Sequence, residues 1–191
     1  ALSSISNALK YLCSKKNKVS CHYLISQEGE IYTIVSEKKR AWHAGQSYWR
    51  GSTDINSISI GIELDFSPSD INNKFTLKLN SALIFLLTKL LKKYQISKEN
   101  ILGHSDIAPY RKIDPGKFFP WQMLENKKLS YRPQFLNKSE IKNSVKQEWL
   151  HKNKLNSIKK KILFMLNFIG YDISLALKNK IYFDQLINAY S

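Results

Sequence analysis

GHSDIAPYRKIDP (103–115) is the stretch around which the rest of the chain reads. It opens on His104 and closes on Asp114, held before Pro115. The three residues before it, Asn100, Ile101 and Leu102, predict a short buried strand. His104 is therefore expected at a strand end, where a loop begins, and loops on a rigid scaffold are where sites are usually built. Pro109 and Pro115 stiffen the loop and remove two backbone donors. A stiff loop that returns an Asp towards a His suits a metal, since neutral imidazole and carboxylate oxygen are both ordinary zinc ligands. On spacing alone, a simple loop ion pair is the commoner outcome, so the flanking sequence has to decide.

Upstream, residues 2–15 predict a helix, with Leu2, Ile5, Leu9 and Leu12 at helical spacing and Ser3 or Ser4 as its cap. Residues 19–25 and 31–35 predict two strands that turn at Gln27-Glu28-Gly29-Glu30. His22 falls in the first of these, beside Cys21. Residues 40–51 read as an aromatic loop containing Trp42, His43, Tyr48 and Trp49; such side chains stack on ligand faces or close a core. Residues 57–66 predict the clearest strand. Ile58, Ile60, Ile62, Leu64 and Phe66 face one way, while Ser57, Ser59, Gly61, Glu63 and Asp65 face the other. Glu63 thus stands among small residues, either as a solvated glutamate or as a candidate general base. Residues 76–94 predict a long helix capped by Thr76, with Leu83, Leu86, Leu87, Leu90 and Leu91 on its packing face. Lys89, Lys92 and Lys93 near its end complement the helix dipole. The fold class expected is α/β: a mixed central sheet with flanking helices, including a strand–helix–strand crossover that ends at His104.

Downstream the character changes. Residues 1–126 form the expected α/β domain, and the polar, Pro133-containing segment 127–138 reads as a linker. Residues 139–191 read as a small all-α helical module. Within it, KKKILFMLNFIGYDIS (159–174) predicts a helix that stops at Gly170, a residue suited to a left-handed C-cap.

The chain of 191 residues has Lys+Arg 30 against Asp+Glu 15, a net charge of +15. Such an excess invites a polyanionic partner. The lysines are scattered and no nucleic-acid motif is visible, so no nucleic-acid partner is expected. Two cysteines neither demand nor exclude a disulfide. No apolar run approaches the ~20 residues of a membrane span, and no signal or anchor segment is expected in residues 1–191.

Four stretches, in order, carry a resemblance. VSCHYLISQEGEIY (19–32), KRAWHAG (39–45), INSISIGIEL (55–64) and GHSDIAPYRKIDPG (103–116) resemble the type-2 N-acetylmuramoyl-L-alanine amidases, whose fold is shared with peptidoglycan recognition proteins. The resemblance covers most of residues 9–121. It implies a zinc enzyme acting on peptidoglycan or muropeptides at the amide between muramic acid and L-alanine. His104 and Asp114 would hold the zinc, Glu63 would take a proton from the attacking water, and Lys112 would face the developing oxyanion. Trp42, His43 and, less directly, His22 would contact substrate. The family's third zinc ligand is a histidine on a strand before the first helix, expected here upstream of Ala1. His22 or His43 is the alternative. The compartment implied is the bacterial cell envelope, periplasmic, with the cytoplasm as alternative. The C-terminal module resembles the small three-helix peptidoglycan-binding domain, though a generic helical tail fits nearly as well. Rival readings are a non-catalytic peptidoglycan-recognition protein, a basic nucleic-acid binder, and a hydrolase built on Cys21.

Overall fold

The central strand of the fold is β1, Tyr23–Ile25, and all three of its residues are buried. A strand covered on both faces needs apolar side chains in both directions. Tyr23 and Ile25 point into a core with Leu79, Leu83, Leu86, Leu87 and Leu90. Leu24 points the opposite way, against Ala8, Leu12 and Cys21. The computed structural model describes residues 5–66, 75–131 and 157–190. In it, β1 pairs antiparallel with β2, Ile31–Thr33, and parallel with β3, Ile62–Leu64, in the order β2-β1-β3. The β1–β2 turn is closed by Ser26 N–H to Glu30 O at 2.9 Å, and Gly29 supplies a φ of 83°.

Helix α1, Ile5–Cys13, covers the Leu24 face; the proposed caps Ser3 and Ser4 lie outside the described residues. After β2 the chain makes a short turn of helix, α2, Ile55–Ile58, before β3. The long helix α3, Leu77–Tyr94, covers the other face of the sheet. Thr76 caps it as expected, its hydroxyl accepting from Leu79 N–H at 3.1 Å. Each of its five buried leucines contributes ~1.5–3 kcal/mol. Short helices α4, His104–Ile107, and α5, Trp121–Asn126, follow. Then come α6, Ile158–Ile169, and α7, Lys180–Tyr190. No helix among the described residues is long and apolar enough to cross a membrane.

Three expectations need correction. Residues 57–66 are not one strand, because α2 takes the start and only Ile62–Leu64 pair. The Ile/Ser alternation suited a strand, but buried Asn56 accepts the His43 and Ala44 amides at 2.9 and 2.8 Å. Ser59 Oγ also donates to Ile55 O at 2.6 Å, and these bonds hold a turn. Residues 100–102 are likewise not a strand. Lys98–Asn100 form a 3-10 turn, and Ile101 and Leu102 then pack into two different cores without a ladder partner. The strand–helix–strand crossover is therefore absent among the described residues, and His104 begins a helical turn instead of ending a strand. Finally, the strand expected before the first helix, as a partner of both residues 19–25 and 57–66, cannot lie between β1 and β3, since Leu24 pairs directly with Glu63.

The expected segment 127–138 is described only to Tyr131, and Leu129 within it is packed into the α3 core. Of the helical module, residues 139–156 lie outside the described residues.

Glu37, in the loop after β2, ties that loop to the end of α3. Its carboxylate accepts from Tyr94 Oη and Lys93 Nζ, each at 2.5 Å, and from the Tyr23 hydroxyl. Lys93, then Tyr23 and Tyr94, pull the carboxyl down from 4.5 to about 2. A depressed carboxyl stabilises the fold above its unfolded value, and that stabilisation disappears as pH falls through the folded value. Glu37→Gln should therefore cost ~1 kcal/mol at pH 7. Thermal melts of the two proteins should diverge at neutral pH and converge near pH 2.

Candidate active site

His104 is placed by its own loop. Gly103 N–H donates to Asp106 Oδ2 at 2.6 Å, which ties the start of α4 to its third residue. Ser105 N–H donates to Asp114 O at 2.9 Å, so the far end of the loop returns beside His104. A side chain at Gly103 would put its Cβ 2.5 Å from Pro115 Cδ; glycine is what lets the two ends close. His104 Nδ1 then stands 3.0 Å from Asp114 Oδ2.

The other face of the imidazole is held by the loop at Ala44. His104 Nε2 lies 3.1 Å from the Ala44 carbonyl, an acceptor, and 3.5 Å from Arg111 Nη2, a donor. Nδ1 faces a carboxylate oxygen, and a cation is what joins the two: a proton, as in the hydrogen bond to Asp114, or a metal ion in its place. Two donors each ~2.0–2.2 Å from one zinc ion and tetrahedrally disposed stand about 3.4 Å apart, so the pair, at 3.0 Å, would open by a few tenths of an ångström to share one. The Ala44 carbonyl plays the orienting part that backbone acceptors commonly play for metal-bound histidines. The pair fits zinc as two ligands.

Sequence reasoning missed the groups that hold that carbonyl in place. Asn56 grips the Ala44 amide. Arg111 donates from Nε to Gln46 O at 2.7 Å and from Nη2 to Ala44 O. Arg111 was visible inside the loop motif as a basic residue, but its role needs Ala44, far away in sequence.

Glu63 projects from β3 on the face opposite Ile62 and Leu64, which pack against the α3 core. This is the alternation expected from sequence. The carboxylate is exposed to water, yet surrounding protein dehydrates it enough to raise it above the ordinary range. Asp114 raises it further, while His104 and Lys112 pull it down. For Asp114 the balance is opposite. Burial pushes its carboxyl up, but the hydrogen bond and charge of His104, with Lys112, leave it below the usual range. Glu63, His104, Lys112 and Asp114 thus act on one another from two separate parts of the chain.

The remaining predicted residues divide. Trp42 is exposed and stacks under the Arg40 guanidinium, 4.3 Å from its ring centre; Arg40 is held by Asp54 and Ser57. His43 packs so closely on Gly61 that any side chain there would overlap its ring. Burial, then the neighbouring His22 and His104, lower His43 to about 4, so it is neutral at pH 7. His22 does not reach the surface and corrects the expectation of substrate contact. It is 1% exposed, its Nδ1 accepts from Gly61 N–H at 3.0 Å, and its Nε2 lies 3.0 Å from Lys39 O. Both ring nitrogens are committed, so His22 cannot complete a metal site either. Among the described residues, no cluster of three His, Cys, Asp or Glu side chains forms. The Cys21 nucleophile is overturned: burial, then the charge of Glu63, pushes its thiol up to about 12.

The profile of the N-acetylmuramoyl-L-alanine amidase family matches residues 1–117. The chain belongs to this family. Among its relatives, AmiD of Escherichia coli, an N-acetylmuramoyl-L-alanine amidase, is 38% identical over 138 residues, covering 61% of this chain and 47% of that protein. The 1,6-anhydro-N-acetylmuramyl-L-alanine amidase AmpD of Haemophilus influenzae is 42% identical over 106 residues, covering 55% of this chain and 56% of that protein. The chain spans about half the length of these two relatives. The solved structure of E. coli AmiD with its substrate anhydro-N-acetylmuramic acid-L-Ala-D-gamma-Glu-L-Lys superposes with a TM-score of 0.73 at 30% identity, covering 91% of this chain and 69% of that one. AMPDH3 of Pseudomonas aeruginosa in complex with anhydromuramic pentapeptide gives a TM-score of 0.79 at 26% identity, covering 99% and 78%. The amidase fold, a small mixed sheet with flanking helices, is therefore shared beyond the family-matched region and into the C-terminal helices.

Proposed function

We propose that this chain hydrolyses the amide between N-acetylmuramic acid and the L-alanine of the stem peptide in peptidoglycan fragments. The observation that carries this reading is the His104–Asp114 pair at 3.0 Å, with Glu63 and Lys112 in its electrostatic reach. His104 and Asp114 would hold a zinc ion, which when bound would supply Lewis acidity to water and to the scissile carbonyl. Glu63, raised yet open to solvent, takes the proton from the attacking water. It then returns that proton to the departing alanine nitrogen, so the amide bond breaks with no net change in its charge. Lys112 offers its ammonium to the oxygen that gains negative charge. Trp42 presents an exposed indole face to a sugar or peptide, and neutral His43 can donate or accept beside it.

The solved structures of AmiD and AMPDH3 named above hold anhydromuropeptides, so a soluble anhydromuropeptide is the substrate to test first. Release of free stem peptide, followed by chromatography with and without a chelator, is the expected result. Binding of the muropeptide without any release of peptide would replace this reading with the second one, a recognition protein of the same fold. What favours that second reading is the absence of a third ligand among the described residues.

A further inference from the structure

Residues 170–172, Gly-Tyr-Asp, follow α6, and each is fastened to the amidase part of the chain. The Gly170 carbonyl accepts from Arg50 N–H at 2.9 Å, and Arg50 Nε donates to Ile169 O at 3.0 Å. Gly170 has φ 140°, and a Cβ there would stand 2.6 Å from Arg50 Cγ, so glycine is required for this approach. The Tyr171 hydroxyl donates to Asp106 Oδ1. The Asp172 carbonyl accepts from Tyr110 Oη at 2.6 Å.

The packing agrees with the bonds. Leu163, Leu166, Tyr171, Ala176 and Leu186 share one core with Ala44, Trp49, Ile55, Ile107 and Ala108. Tyr171 is 4% exposed and meets Trp49 edge-on at 5.1 Å. Tyr110 meets Tyr182 of α7 edge-on at 5.5 Å. Asp106 and Tyr110 belong to the loop that carries His104, and Ala44 supplies the carbonyl that orients its ring. The bonds run in one line: Tyr171 hydroxyl to Asp106 Oδ1, Asp106 Oδ2 to the amide of Gly103, and Gly103 directly to His104.

We infer that the 170–172 turn is a docking element, and that Tyr171 and Asp106 are positioning residues for the metal-holding loop. The C-terminal helices then form the back wall of the site and are not an appendage hung from a linker. Such a wall restricts the two ends of the loop to the separation at which one ion can be shared. This inference rests on the reading of His104 and Asp114 as metal ligands, and half of its test is independent of that reading.

The test uses the full chain with Tyr171→Phe, Asp106→Asn and both together, and Tyr32→Phe as a control whose hydroxyl, among the described residues, donates to Glu30 on the hairpin. Tyr171→Phe keeps the ring and its packing and removes only the hydrogen bond. Amide exchange at Gly103 and Ser105 should quicken about 10-fold or more in both single variants, and the double should be no faster, because the two groups share one bond. Zinc affinity, read by chelator competition, should weaken by about 10-fold, and the cobalt-substituted absorption band should shift. Unchanged exchange at Gly103 together with unchanged zinc affinity in Tyr171→Phe would overturn the inference. Quickened exchange confined to α6 and α7 would do the same. If the unaltered chain binds zinc but releases no peptide from anhydromuropeptide, the amidase reading fails, while the exchange result still decides the docking role.

Discussion

Glu63→Gln is expected to reduce release of stem peptide from anhydromuropeptide by roughly 10²-fold or more, and Lys112→Ala by a similar factor. The glutamine keeps the shape of the side chain and removes its capacity to take a proton. Glu63 projects from the sheet face opposite Ile62 and Leu64, while its backbone pairs with Leu24, so the ladder and the α3 core are untouched. Lys112 ends a turn through its own N–H to Ala108 O at 3.0 Å, a bond that alanine retains. Both proteins should therefore melt within about 0.5 kcal/mol of the parent, as surface substitutions usually do. The losses should appear in kcat, because both groups act on charge that develops only as the bond breaks. Near-normal turnover by either variant at full zinc occupancy would show that the base or the electrophile sits elsewhere.

The second large effect concerns the metal. His104→Ala and Asp114→Ala should each weaken zinc binding by roughly 10²-fold or more, since either leaves a single protein donor where catalytic zinc normally has three. With His104 and Asp114 as its two donors among the described residues, the site should hold zinc loosely and turn over weakly at stoichiometric metal wherever no third donor joins them. His22 is excluded as a third by its two backbone bonds. The sequence holds 4 histidines, and the fourth, His151, lies outside the described residues. Zinc affinity of His151→Ala, beside that of a form extended upstream of Ala1, separates the two sources. A loss in the first assigns the ligand to His151. A gain of activity in the second assigns it upstream. Tight zinc binding that survives His104→Ala would remove the metal reading altogether.

Much of the site could be read before any coordinates, for a definite reason. Glu63 was legible because its neighbours alternate, and the period of two that buries Ile62 and Leu64 against α3 must turn Glu63 the other way. α3 was legible from its leucine face and its Thr76 cap, both of which are local properties. The loop at 103–115 was legible because glycine, two prolines, His104 and Asp114 lie within a few turns of chain. Where reading by pattern failed, a distant bond had overruled it. The Ile/Ser alternation of 57–60 gave way to a turn because Asn56 is needed by the amides of His43 and Ala44. Residues 101–102 have the apolar character of a strand, but each faces a separate core and neither has a partner.

By itself, then, the sequence carried the resemblance that marks the family and the proposed roles of His104, Asp114, Glu63 and Lys112, and it determined the helices on the two faces of the sheet. The helices follow from residue type and short-range spacing, which chain stereochemistry converts directly into faces and ends. Only the tertiary structure decided that His22 is an interior strut, that Ala44 and Arg111 hold the His104 ring, and that Tyr171 reaches Asp106. Each of those depends on backbone carbonyls or on partners 39 to 67 residues apart. A carbonyl is carried by every residue alike, so its alignment leaves no mark on the sequence until the fold has brought it to the site.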